Sequence, residues 1–320
     1  MFLTLGGNPC PTALRAGWRP GAYNSVAVDT ARSRLLIRPA PGTSAPGVTT
    51  RVTAAQAGWE FVNFEVRRLT EGQRWAAATG EHEAAIVVLG GRGRVESTRG
   101  MWPSIGRRPH VFAGMPYALY LPRRTEFSLT ALTPAVELAY CWVPTDRDHP
   151  PRLVTPADSQ IEIRGGGSAT RQINGIIPPG FDCHRLVCVE VYTPGGNWSS
   201  YPPHKHDVHR VDRAGRVVEA DLEEIYFYQF DRPEGFAIQR VYTGDRHRDE
   251  VVVAQHDDIV LVPEGYHPVS AAFGYTCYYL NVLAGSAQSL ANAEDPDHAW
   301  VKQTWTSKDS RIPLVSHAME

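Results

Sequence analysis

Two histidines spaced two apart, His204 and His206, follow a Gly-rich turn in the run Tyr201-Pro-Pro-His-Lys-His-Asp207. Extended backbone has a side-chain period of two, so both imidazoles would point to one face and could chelate a cation together. A carboxylate pair, Glu223 and Glu224, opens a later apolar run, and a third histidine, His267, closes Pro263-Glu-Gly-Tyr-His267. Three imidazoles and one carboxylate make a mixed nitrogen and oxygen set. Such a set suits Zn²⁺, Mn²⁺, Fe²⁺, Ni²⁺ or Co²⁺ and leaves room for solvent or substrate. A His-X-His on its own is ordinary on solvated loops; the order of all the pieces gives it weight.

Gly-rich turn, His-X-His, Glu and Pro-X-Gly-X-His, in that order, resemble the two-part signature of the cupin β-barrel. The choice of glutamate is a question of register. Glu224 alternates with Tyr226 and Tyr228, whereas Glu223 shares a face with Ile225 and Phe227. A lumen holding a polar substrate favours the tyrosine face. Glu224 is therefore the expected ligand, and Glu223 stands behind the ligands or in solvent.

The 320 residues suffice for one large or two ordinary domains, and 42% hydrophobic content is ample for a core. A net charge of −2 gives no electrostatic footing for nucleic acid or an anionic membrane. No apolar run approaches the roughly eighteen residues that span a bilayer. Five cysteines, without Cys-X-X-Cys spacing, read as small core residues in a reducing compartment. The N-terminus lacks the basic and apolar regions of a secretory leader. A soluble, cytoplasmic protein with no nucleic-acid or membrane partner is expected.

Residues 1–32, rich in Gly, Pro, Ala and Arg, show no period and read as an irregular extension. From Ser33 onward, short alternating runs of β-branched and aromatic residues are separated by Gly, Pro and Asp turns, which predicts an all-β barrel or sandwich. The clearest strands cover 61–69, 84–89, 118–121, 136–143, 186–193, 225–230, 236–243, 250–254, 259–262 and 276–283. Helix is expected only over 286–294 and 297–303. The stretch 208–221 is long for a link between the histidine pair and its glutamate, and Asp212-Arg-Ala-Gly215 reads as the tip of an inserted hairpin flap.

An internal repeat organises these runs. Val66-Arg-Arg-Leu-Thr-Glu-Gly-Gln-Arg-Trp75 resembles Val189-Glu-Val-Tyr-Thr-Pro-Gly-Gly-Asn-Trp198, and Tyr120-Leu-Pro122 resembles Leu261-Val-Pro263. The fold class expected is all-β, a bicupin of two tandem jelly-roll barrels with few short helices, divided into 33–150 and 151–320. Counting from the shared Trp and Pro, the histidine positions of the second copy fall on Glu81, Glu83 and Glu126 in the first, and Glu224 falls on Ala85. With every imidazole lost, the first barrel reads as a degenerate structural partner of a metal-binding second barrel.

The run His204-Lys-His206-Asp, then Leu222-Glu-Glu-Ile-Tyr-Phe-Tyr228, Gln239-Arg-Val-Tyr-Thr, His256-Asp-Asp-Ile-Val-Leu-Val-Pro-Glu-Gly-Tyr-His-Pro268 and Tyr278-Tyr-Leu-Asn281 resembles the 5-deoxy-glucuronate isomerases of bacterial myo-inositol breakdown. The resemblance covers about residues 33–310; the first thirty or so do not fit it. It implies a two-barrel cupin related to the 5-keto-4-deoxyuronate isomerases of pectin breakdown, acting on a small uronate-like sugar acid. It also implies that His204, His206, Glu224 and His267 hold a divalent metal, foremost Zn²⁺, with Mn²⁺ or Fe²⁺ as alternatives.

The implied reaction moves a proton between adjacent carbons through an enediol, which calls for oxyanion stabilisation and an acid/base group. Glu223, Tyr226 and Tyr228 are the proton-transfer candidates. Arg240, Arg171 and Asn281 are the substrate-binding candidates, an arginine fork being suited to a carboxylate. The same ligands would serve an isomerase of another keto-uronate, an iron-dependent oxygenase or a non-catalytic sugar-binding cupin. Cupins often pair through strand exchange or sheet packing, which is compatible with a homo-oligomer.

Overall fold

The computed structural model describes residues 33–40 and 47–319; the extension expected over 1–32, with Cys10, lies outside the described residues. In the second half an eight-stranded sheet runs Leu36–Ile37, Ile259–Val262, Val217–Phe230, Cys277–Gly285, Val187–Thr193, Arg171–Ile177, Ile161–Arg164, all neighbours antiparallel. Its eighth strand, Asp207–Val211, folds back on Val217–Phe230 around the turn at 212–216, which is the expected hairpin. The facing sheet has the order Trp198–Ser199, Val269–Ala271, Phe236–Tyr242, Asp249–Gln255.

The first half repeats the plan. Its large sheet runs Arg152–Val154, Tyr117–Leu121, His82–Gly90, Ala135–Pro144, Asn63–Thr70, Val48–Val52, and its small one Arg74–Ala78, Glu126–Ala131, Gly93–Ser97, Gly100–Ile105. Each half is a large antiparallel sheet on a small one, so the chain is a bicupin.

Among the described residues, period-two alternation sorts the buried apolar side chains into three main layers, with a small fourth cluster of Val187, Ala220, Leu222 and Leu283. In Val217–Phe230, Tyr226, Tyr228 and Phe230 face the small sheet, meeting Ala237, Val241, Val252 and Val269. Ile225 and Phe227 face the other way and pack with Phe64, Val66, Ala85 and Val87 of the first half. The large sheets are thus back to back, and a third layer, with Trp75, Ile86, Val95 and Leu129, fills the first barrel. A fully buried side chain of this size contributes about 1.5–3 kcal/mol, so the shared layer joins the barrels firmly. From Ser33 on, the chain is one compact unit.

Three expectations need correction. No helix forms over 286–294; that stretch ends in the strand Ala293–Glu294, which pairs with His204–Lys205, and the second expected helix is a 3₁₀ turn over Ala299–Thr304. The division at residue 150 is crossed by two short strands. Leu36–Ile37 joins the second-half sheet, whereas Arg152–Val154 joins the first-half sheet. Finally, Ala84 lies opposite Leu121 as Glu224 lies opposite Val262, each partner followed by the shared proline, so the counterpart of Glu224 is Ala84 and not Ala85.

Candidate metal centre

Alternation along Val217–Phe230 carries Glu224 to the lumen side and Glu223 to the side of the first barrel. His206 and His267 converge on Glu224 from two loops. The three side chains are buried, and one ligand atom from each lies within 4.8 Å of the others. His206 Nε2 is 2.9 Å and His267 Nε2 3.2 Å from the same atom, Glu224 Oε2. His204 stands beside them, its ring edge-on to His267 with centroids 4.8 Å apart. Ala293–Glu294, on which His204–Lys205 is paired, fixes that position.

The loop carrying His267 depends on Gly265. Its φ is +89°, and a Cβ there would come 2.5 Å from the Tyr242 carbonyl oxygen, across the bridge that joins Tyr242 to Tyr266. Gly265 also ties the two ligand loops together: its N–H donates to Asp207 Oδ1 at 2.8 Å, and its carbonyl accepts from His267 Nδ1 at 2.8 Å.

The tautomers follow from these contacts. His267 Nδ1 donates to Gly265 O, and His206 Nδ1 donates to Leu222 O at 2.9 Å. In neutral rings both Nε2 lone pairs then face a carboxylate oxygen, which is repulsive unless a cation lies between them. His267 Nε2 is buried and has no hydrogen-bond partner among the described residues. A carboxylate and imidazole lone pairs converging in this way fit a divalent cation, and the backbone carbonyls behind each ring are the usual orienting partners of metal-bound histidine.

Titration behaviour follows the same geometry. Burial alone would raise the Glu224 carboxyl, but the hydrogen bond from His206 and the nearness of the His206 and His267 imidazoles bring it down to about 2. Burial opposes a charged His206, and the bond to Glu224 outweighs it, raising the imidazole above its usual value. Burial, then the charge of His267, pushes His204 well below its usual value and keeps its lone pair free.

Around this group lies a cavity lined by Arg171, His204, His206, Glu224, Tyr226 and Asn281, with Arg164, Ser200, Tyr279 and Asn292 completing its polar wall. Arg171 is buried; its Nη1 donates to Tyr201 O at 2.9 Å and Ala169 O at 3.3 Å, and no carboxylate among the described residues pairs with it. Asn281 Nδ2 donates to Ile225 O at 3.2 Å. Tyr226 OH bonds Ser200 Oγ at 3.0 Å, and Tyr279 OH bonds Ser199 Oγ.

Three expected residues are elsewhere. Glu223 faces the first barrel, where its carboxylate accepts backbone N–H groups of Glu60, Phe61 and Val62 at 2.6, 2.9 and 2.8 Å. Tyr228 is one pleat beyond the cavity and spends its hydroxyl on Gln239 Oε1 at 2.8 Å. Arg240 is on the outer face of the small sheet, its Nε and Nη2 forked on the Asp249 carboxylate at 2.7 Å each. Arg240→Ala is accordingly expected to leave kcat/KM within about twofold and to change unfolding free energy by less than about 1 kcal/mol, checked by steady-state kinetics and urea denaturation. The carboxylates that counting placed at the histidine positions do not assemble either: Glu83, which the strand register makes the counterpart of Glu223 and not of His206, is buried on Tyr120 and backbone amides, Glu81 pairs with Arg124 at the surface, and Glu126 is exposed.

Ser200, Arg164 and Asn292 escaped sequence reasoning. Asn292 falls in the stretch read as helix, and Ser200 takes φ +51°, which its neighbours do not signal.

Fold and site together define a two-barrel cupin with a histidine and carboxylate centre capable of holding a metal in its second barrel. Residues 35–301 match the KduI/IolB family, and the chain belongs to that family. It is 45% identical over 259 residues to the 5-deoxy-glucuronate isomerase of Geobacillus thermodenitrificans, covering 81% of this chain and 92% of the relative. An IolB-like protein from Salmonella typhimurium superposes with a TM-score of 0.78 at 38% identity, over 83% of this chain and 98% of that one. Bacillus subtilis oxalate decarboxylase shares the fold at 13% identity, with a TM-score of 0.56 over 78% and 76% of the two chains.

Proposed function

We propose that the chain is a metal-dependent aldose-ketose isomerase that converts 5-deoxy-D-glucuronate to 2-deoxy-5-keto-D-gluconate in myo-inositol catabolism. The observation that carries the reading is the convergence of His206 and His267 on one oxygen of Glu224, beside a buried arginine without an anionic partner among the described residues. Relatives named as 5-deoxy-glucuronate isomerases, matched over most of their length, support the substrate.

His206, Glu224 and His267, with His204 beside them, would hold the metal, which supplies Lewis-acid polarisation of a carbonyl without a change of oxidation state. Arg171 would grip the substrate carboxylate, and Asn281 its hydroxyls. The reaction shifts one C–H proton to the neighbouring carbon through an enediol while the carbonyl and hydroxyl exchange places. Tyr226 is the proton-transfer candidate at the cavity. Burial, then the charge of Glu224, holds its hydroxyl well above the usual pKa, so it stays protonated and can donate to a developing oxyanion. Tyr226→Phe is expected to lower kcat about 10²-fold with little change in KM, read by initial rates across substrate concentration.

The overall reading is tested by anaerobic NMR of 5-deoxy-D-glucuronate with protein as isolated, after chelation, and after restoring Zn²⁺, Mn²⁺ or Fe²⁺ separately. Keto product that appears only with metal, and is lost in His206→Ala, supports it. A metal-loaded protein that leaves the substrate unchanged overturns the assignment.

A further inference from the structure

The two barrels hold each other by the same device, used twice. Glu83 and Glu223 occupy equivalent places: each immediately precedes the residue opposite the shared Leu121 or Val262 position. Each also lies in a central strand of its large sheet, Glu83 opposite Val143 and Glu223 opposite Ala284. Each carboxylate reaches into the other barrel and accepts three consecutive backbone N–H groups. Glu223 takes those of 60–62, just ahead of Asn63–Thr70; Glu83 takes those of His184, Arg185 and Leu186, just ahead of Val187–Thr193, at 2.8, 2.6 and 2.9 Å. Carboxylates that accept several backbone amides make strong, directional bonds. The clasps differ in the neighbouring residue, which is Ala84 beside Glu83 and Glu224 beside Glu223, and in the Tyr120 hydroxyl that also donates to Glu83 at 2.9 Å.

We propose that Glu223 is a positioning residue for the metal centre, and that the first barrel, with no cluster of metal ligands among its described residues, acts as the template against which the ligand strand is set. The inference rests on the metal reading above. Consecutive residues of a strand project to opposite faces, so a carboxylate pinned on one face fixes the rotation and register of the strand that carries its neighbour on the other. Three amides of the first barrel hold Glu223 and thereby hold Glu224 Oε2 where His206 and His267 both reach it. Glu83 makes the same kind of clasp with no ligand beside it, which provides an internal control for the stability of the interface.

The test is Zn²⁺ affinity by chelator competition for the full-length chain and for Glu223→Gln, Glu223→Asp and Glu83→Gln, with thermal midpoints measured on the metal-free proteins. Glu223→Gln is expected to weaken Zn²⁺ binding about 10- to 100-fold, as loss of an orienting partner does. Glu83→Gln, at a fully buried carboxylate that also accepts from Tyr120, should lower the midpoint at least as much yet keep Zn²⁺ affinity within about twofold of wild type. Should Glu223→Gln not fold, Glu223→Asp, which keeps the charge and shortens the reach, carries the same expectation. Wild-type affinity retained in the Glu223 variants, or an equal loss in Glu83→Gln, overturns the positioning role. A wild-type chain that takes up no Zn²⁺ instead overturns the metal reading, and this inference with it.

Discussion

Glu224→Gln is expected to abolish metal retention and to lower kcat/KM by about 10³-fold or more. The oxygen it alters is the one atom that both histidines face, at 2.9 and 3.2 Å. An amide of the same shape keeps the packing but removes the charge, and can turn an N–H donor toward lone pairs that a cation would otherwise share. Lewis-acid stabilisation amounts to several kcal/mol, and each 1.36 kcal/mol is a factor of ten. Elemental analysis after dialysis and initial rates check the two halves of the expectation.

The metal-free protein should show the same geometry through pH. Glu224, depressed from 4.5 to about 2, contributes stability that is complete above the usual carboxyl value and is lost as pH falls toward 2. His206, raised above 6.5, contributes stability that is complete below its usual value and is lost as pH rises through the raised one. The pair therefore contributes most between about 4.5 and 6.5. Metal uptake must displace the His206 proton, so Zn²⁺ affinity should rise with pH across that titration. Calorimetry in buffers of different ionisation enthalpy would count the released proton.

Strands were the legible part of the molecule because burial on one or two faces writes period-two runs: Ile259–Val262 appears as expected, and Cys277–Gly285 differs by a residue or two at its ends. The register choice at Glu224 was legible for the same reason, since tyrosines marked the lumen face and Ile225 and Phe227 the other. Arg240 misled because Phe236 and Ile238, on its face, look like core residues yet are 38% and 42% exposed, while Gln239 faces inward and is fully buried. Tertiary pairings were not legible. Nothing local in Ser286–Glu294 announces that its end must pair with His204, and nothing around Glu223 shows the three amides more than 160 residues earlier that take up its carboxylate.

Arg171→Ala is expected to raise KM strongly and to lower kcat/KM by about 10²- to 10⁴-fold, with Arg171→Lys recovering only part of the loss. A buried guanidinium is costly unless its hydrogen bonds and charge are met. Here burial lowers the Arg171 pKa from its usual value, the nearby protein acceptors are backbone carbonyls, and the side chain lines the cavity beside Glu224. The substrate carboxylate would supply the missing charge. Two charge-assisted bonds of about 1.5–3 kcal/mol each account for the size of the loss, and lysine keeps the charge without the fork. Because Nη1 also holds Tyr201 O and Ala169 O, thermal midpoints must accompany the kinetics. The decisive comparison is an analogue whose carboxylate is replaced by a primary alcohol. Wild type should discriminate against it by the factor that Arg171→Ala loses, whereas the variant should turn over acid and alcohol at similar low rates. A variant that still favours the acid by that factor would place the carboxylate on another cation, Arg164 being the one in the same cavity wall, already forked on Glu162.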